Sequence, residues 1–230
     1  MSIENLIERY AAGERSFHQI KLQEAEFIST NLSEAKFDHA DFRQARFGKT
    51  NLRQACLDYA DLSEALLWGT DLSAASLHHA ALREADLTGA ILAHACLDAA
   101  NLCKAILSGA ILTQASLVGA LLIDADLRSS QTHQTNLQGA NLSQADLSYT
   151  RLNEVILREA NLTNAKLCRA NLRRGGQDFL PADLTGAILR GADLSYADLT
   201  GAILRNADLS QTDLTGTLLT DADLQGAVLP

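Results

Sequence analysis

A four-sided all-β solenoid is the fold this sequence predicts, and three observations predict it. The first is a ladder of Leu or Phe at every fifth position. It runs unbroken from Phe17 to Leu127, resumes from Leu137 to Leu172, and resumes again from Phe179 to Leu229. The second is a small residue two places before each rung. Ala or Thr stands there at all but Arg15, Ile20, Val155 and Gln177, so large and small inward positions alternate almost without exception. The third is the composition. Apolar residues make up 47% of the 230 but aromatics only 5%, with two Pro and one Met, so Leu and Ala must build the core.

A period of five fits neither a helix, which needs apolar recurrence near 3.6, nor a lone strand, which needs 2. A five-residue unit can turn one corner with its large and small residues both pointing inward. Four units close a square coil of twenty residues. Coils stacked about 4.8 Å apart then pair their backbone groups with the coils on either side. Asp or Asn frequently precedes the rung, as in Ala60-Asp61-Leu62-Ser63-Glu64. Counting one defective unit at Thr132, the ladder gives nearly eleven coils and a rod about 50 Å long.

Each element can be placed in order. Residues 1–14 form an N-terminal cap, with Ile3, Leu6, Ile7 and Tyr10 on one helical face, Ser2 as N-cap and Gly13 after the end. This helix covers the open edge of the first coil, which would otherwise invite pairing with other chains. Residues 15–230 form the solenoid. Phe17, Phe27, Phe37, Phe42 and Phe47 widen its interior beneath the cap. Residues 128–136 lose an inward leucine without changing the count, predicting a loosened coil. Between Leu172 and Phe179 two residues are inserted, predicting a protruding loop at 173–178. Val155, twenty residues from both Thr135 and Gly175, is expected to fill volume between the two irregular coils. No helix follows at the C-terminal end, and a monomer is expected.

Twenty-residue spacing also draws the outer surface. Asp38, His39, Asp58, Tyr59, His78, His79 and Asp98 share one face. His and Asp on neighbouring coils can share a cation, but a flat face converges poorly on an ion, so no metal is expected. Cys56, Cys96, Cys103 and Cys168 show no CxxC pair. Cys56 and Cys96 lie two coils apart, too far for a disulfide, and free thiols are expected. Outward positions are mostly polar, but Leu66, Trp68, Ile91, Ile106, Ile111, Val118, Leu121 and Ile123 crowd into the middle coils. The single Trp of the chain, at an outward position, predicts a protein-binding belt. Arg169, Arg173 and Arg174 extend it. They belong to a basic collar with Arg151, Arg158 and Lys166, beside an acidic stretch at 181–230 that holds seven Asp. Such polarity steers an oppositely patterned protein surface.

Enzymatic chemistry is not in evidence. No GxSxG, Walker loop, GxGxxG or HExxH occurs, and a leucine-filled rod leaves no substrate pocket, so no catalytic residue and no cofactor are expected. A net charge of −9 argues against direct nucleic-acid binding. No apolar run is long enough to span a bilayer, and MSIENLIERY lacks the apolar segment of a secretory signal, so a soluble intracellular protein is expected.

The repeat A-(D/N)-L-x-x, sustained over residues 15–229, resembles the pentapeptide-repeat family. That resemblance implies a right-handed quadrilateral β-helix. Within the family, four features are similar to cyanobacterial regulators of heterocyst differentiation. They are the opening helix running into Arg9-Tyr10-Ala11-Ala12-Gly13, the segment Leu66-Leu67-Trp68-Gly69, the irregular stretch 128–135, and the loop after Cys168-Arg169-Ala170-Asn171. The resemblance implies a non-enzymatic cytoplasmic protein that acts by binding another developmental regulator. A second branch, of the quinolone-resistance type, mimics duplex DNA and occupies a topoisomerase such as gyrase. The basic collar and the missing C-terminal helix set this chain apart from it.

Overall fold

The structure is a computed structural model that describes residues 1–131, 133–175 and 179–230. The chain winds as a four-sided solenoid held by single-residue parallel bridges. In the regular part each bridge joins residues twenty apart, as in Lys36 to Cys56 and Ser76 to Cys96. The bridges line up in four columns. Side one runs through Ser16, Cys56 and Cys96, and side two through Lys21, Asp61 and Asn101. Side three runs through Glu26, Leu66 and Ile106, and side four through Asn31, Asp71 and Ile111. Ten complete coils are followed by Val228, which pairs on side one.

One unit shows why the sequence repeats as it does. The Asp61 N–H donates to Ala40 O on the preceding coil, at 2.9 Å, and the Leu62 N–H to Ala81 O on the following coil, at 2.7 Å. The Glu64 N–H reaches Arg83 O at 2.9 Å, and the Ala65 N–H closes a turn on Leu62 O at 3.0 Å. One donor remains, the Ser63 N–H, and it goes to Asp61 Oδ1 at 3.0 Å. All five donors are satisfied, and the last explains the Asp or Asn before the rung: its side chain caps the turn. Glu64, second in the turn, has φ 58°, the left-handed backbone that such a turn demands.

The interior is as the ladder requires. Rungs such as Leu62, Leu82, Leu102 and Leu122 are fully buried, with Ala60, Ala80, Ala100 and Ala120 between them. Buried Thr residues satisfy themselves on backbone carbonyls, Thr70 Oγ1 donating to Phe47 O at 2.7 Å. At the N-terminal end Phe27 stacks on Phe47 at 4.8 Å, and Phe42 meets Phe27, Phe37 and Phe47 edge-on. Helix α1 (Ile3–Ala11) packs Ile3, Ile7 and Tyr10 against this core, with Arg9 5.5 Å from the Phe17 ring. Ser2 caps it through the Asn5 N–H, Leu6 is fully buried, and Gly13 leaves it at φ 98°. The Tyr10 hydroxyl donates to Ser33 O at 2.9 Å, tying α1 to the first coil.

The register corrects several expectations. Asp126 on side three is followed on side four by Asn136, which pairs with Ile111 and Ile156. A whole five-residue unit is therefore excluded from that coil; the coil does not keep its count with one loosened side. The next irregularity is larger than expected too. Asn171 on side three is followed on side four by Asp183, which pairs with Ile156 and Ile203, so seven residues beyond the usual five separate the two bridges. Phe179, a rung by its phase, is 52% exposed, and the buried ladder re-enters at Leu184. Val155 is buried, but its column neighbours are Thr135 and Ala182, not Gly175: the Asp183 N–H donates to Val155 O. The readings of Thr132 and of residues 176–178 lie outside the described residues.

Candidate partner-binding groove

Both excluded segments leave the rod at one corner, between sides three and four. In successive coils the turns there begin at Gly48, Trp68, Thr88 and Ser108. Then come the segment from Arg128 to Thr135, the turn at Asn153 and Glu154, and the segment that starts at Arg173. The two segments are rooted two coils apart, about 10 Å, with the Asn153 turn between them. Together they enclose an open groove of 450 Å³, lined by Ser108, Arg128 to Gln131, Asn153, Glu154 and Phe179.

The first wall is tied down at its base by Thr135. Its hydroxyl accepts from the Gly109 N–H at 2.8 Å and faces the carbonyls of Leu107 and Arg128 at 3.1 and 2.9 Å. Gly109 is required there, because a Cβ would sit 2.5 Å from Ser130 Oγ. The Ser130 N–H closes the segment on His133 O at 2.8 Å, and Ser129 Oγ donates to Glu154 on the groove floor. In the second wall Asn153 Nδ2 donates to Arg173 O, and the Arg174 guanidinium donates to Phe179 O, each at 2.7 Å. Phe179 packs beside Gly175 and presents its ring to the groove.

Charge on this corner is organised locally. Arg128 grips Asp126 through two nitrogens, and Arg151 approaches the same carboxylate at 3.6 Å. Burial pushes the Asp126 carboxyl up, but hydrogen bonds from the Arg128 side chain and backbone outweigh it and hold it below the usual range. Arg173 and Arg174 are exposed on the second wall.

The belt expected from sequence is only partly gathered. Leu66 and Ile106 lie on side three, Ile91 and Ile111 on side four, and Trp68 on the corner between them. Leu121 lies on side two, Ile123 and Arg169 at the corner of sides two and three, and Val118 at the corner of sides one and two. Arg169 is held over the rings of Tyr149 and Tyr196. Nor is Trp68 a free knob. It is half-buried, its indole lying on Gly48 so closely that a Cβ there would come within 2.4 Å, with Lys49 Nζ 5.5 Å from the ring. Sequence reasoning missed Phe179 and Leu180, 52% and 54% exposed on the second wall, because the phase of Phe179 imitates a rung. Two adjacent apolar residues, separated from Gly175-Gly176 only by Gln177-Asp178, were the available signal.

The rest of the surface is more neutral than its composition suggests. The basic collar is scattered over sides two and three and three of the four corners, Arg158 pairing with Asp183 and Lys166 with Asp146. In the acidic stretch Asp208 is met by Arg190 and Asp223 by Arg205. Ser210 and then Arg190 hold the Asp208 carboxyl down to about 2. All four cysteines are free, and burial pushes the thiols of Cys56 and Cys96 up. Among the described residues no helix is long and apolar enough to cross a membrane.

The family of pentapeptide repeats matches the chain in eight copies, covering residues 16–54, 55–93, 95–130, 135–174, 178–206 and 204–229. No curated protein matches it. Among solved structures, the chain is similar to HetL, a pentapeptide repeat protein involved in heterocyst differentiation regulation from the cyanobacterium Nostoc sp. strain PCC 7120. The two are 53% identical over 100% of this chain and 98% of that one, with a TM-score of 0.99. A trypsin-treated QnrB1 variant, from a plasmid-mediated fluoroquinolone resistance protein, shares the fold at 19% identity. Its TM-score is 0.56, over 94% of this chain and 92% of that one.

Proposed function

For this chain, which belongs to the pentapeptide-repeat family, we propose a non-enzymatic role as a cytoplasmic regulator of the heterocyst-differentiation type that acts by binding a second regulatory protein. The full-length likeness to HetL carries the reading. The architecture supports it. A rod whose interior is filled by Leu and Ala offers chemistry only on its outside, and binding residues commonly stand on loops held by a rigid scaffold. The partner docks at the corner of sides three and four. There Phe179 and Leu180 are exposed apolar anchors, Arg173 and Arg174 frame them, and Leu66, Trp68, Ile91, Ile106 and Ile111 extend the contact along the rod. Leu121, Ile123 and Arg169 lie outside this footprint.

A duplex mimic would need rows of unpaired carboxylates, since DNA carries one charge per about 1.7 Å of axis. Here the outward Asp residues are committed to turn N–H groups, and several are met by Arg. These commitments favour the regulator. The test is affinity capture with the full-length protein in a heterocyst-forming cyanobacterium, beside a Phe179→Ala, Arg173→Ala double variant that keeps its melting temperature. One protein captured by the parent and lost from the variant is expected. Capture of a gyrase subunit by both would overturn the assignment.

A further inference from the structure

Diagonally across the rod from the groove, the corner of sides one and two carries a stack of rings. His39 lies 4.9 Å from Tyr59 at an interplanar angle of 7°, and Tyr59 lies 5.0 Å from His79 at 19°. His78 stands edge-on to His79 at 4.3 Å and to Tyr59 at 6.1 Å. Below these rings, on the next coil, Cys96 projects from side one and Asp98 from the turn. A nitrogen of His78, the sulfur of Cys96 and a carboxylate oxygen of Asp98 all lie within 4.8 Å of one another, the one such triplet among the described residues.

We propose that His78, Cys96 and Asp98 form a binding site for a divalent transition-metal ion of the zinc class. The donor set is one imidazole nitrogen, one sulfur and one carboxylate oxygen, which suits zinc and disfavours magnesium or calcium. Bond lengths of about 2.0–2.3 Å at tetrahedral angles place donors about 3.3–3.7 Å apart, so the side chains close by about 1 Å around the ion. A flat side could not converge in this way. Here two donors come from the corner turns and one from the adjoining side, on two successive coils.

Two further features prepare the site. Asp98 Oδ1 already accepts from Ser116 Oγ and from the Val118 N–H, which fixes the carboxylate and leaves Oδ2 for the ion, as outer partners do for metal ligands. Both ring nitrogens of His78 are without a hydrogen bond among the described residues, while its orientation is set by the neighbouring rings. Cys56 is the internal control. It occupies the same column two coils earlier, but its neighbours are Asp58 and Asp38, with no imidazole at the place of His78. Three protein ligands leave the fourth position to water or to an incoming group.

The experiment is a titration of untagged full-length protein with cobalt(II), read by absorption, and with zinc, read by competition against a chromophoric chelator. One ion per chain is expected, with a thiolate-to-cobalt charge-transfer band. Cys96→Ser abolishes the band, and His78→Ala weakens zinc at least roughly tenfold. Cys56→Ser leaves both unchanged. Ser occupies the equivalent places 76 and 116, so the Cys96→Ser chain will fold. No uptake, cobalt bound without the thiolate band, or a band lost in Cys56→Ser instead of Cys96→Ser would each overturn the assignment.

Discussion

The corner of sides one and two and the corner of sides three and four rest on the same interior yet have become different surfaces. On the first, the turns follow at twenty-residue intervals from coil one to coil five, and rings stack coil upon coil. On the second, two segments are expelled and a groove opens between them. What the repeat demands is that each bridge residue and rung return to register. How many residues pass between two sides is free, provided the polar groups at the exit and re-entry points are satisfied.

The interior common to both corners gives the largest expected effect. Leu102→Asp places an unpaired carboxylate among buried leucines and should cost about 4 kcal/mol or more, enough to abolish a cooperative melt. The outward Lys104→Asp should leave the melting temperature within error. Equal effects would mean that inward and outward positions have been misassigned.

Next come two threonines of one column, which sharpen the contrast. Thr70 ties one carbonyl in a regular coil, whereas Thr135 ties one N–H and faces two carbonyls at the exit of the first segment. Thr135→Val should therefore lose about 2–3 kcal/mol in chemical denaturation and Thr70→Val about 1 kcal/mol. A reversed order would show that the expelled segment is not anchored there. Somewhat smaller is Gly48→Ala, which drives a methyl group into the Trp68 indole and should cost about 1–2 kcal/mol. Because Trp68 is the only Trp, a red shift of emission reads its displacement directly.

The smallest effect belongs to the regular coils and depends on pH. The Arg43 side chain holds the Asp41 carboxyl down to about 2 in the folded chain, against about 3.9 when unfolded. Its contribution to stability is thus present above about pH 4 and is lost as pH falls through about 2. Asp41→Asn should flatten that part of the stability profile, and an unchanged acid limb would show that the pair does not contribute.

Much of the fold was legible because the core permits few substitutions. At every regular rung only Leu or Phe fills the interior, and beyond the first coil only Ala, Thr or Val stands beside it, so the spacing alone reports the solenoid. The groove was not legible for a reason of counting. Five expelled residues preserve the phase of the ladder, so Leu137 reads as the next rung but one while standing on the next side. Every residue from there to Leu172 is thereby displaced a quarter turn from where uninterrupted counting puts it. Phe179 misleads in the same manner, keeping the beat of the ladder while lying outside it. The Asp or Asn before each rung was visible as a pattern, but its cause, the cap on the turn N–H, required the hydrogen bonds.

The shared exit corner makes the rod a ruler with two marks on one edge. Between Asn136 and Asn171 the chain could accept one more twenty-residue coil, which would slide the second mark about 4.8 Å along the axis and keep its heading. A single added unit of five would instead swing it through a right angle to the adjoining edge. Distance and azimuth between the two protrusions are thus separately adjustable in whole steps. A partner that touches both would distinguish the two kinds of insertion, even though each leaves the repeat itself undisturbed.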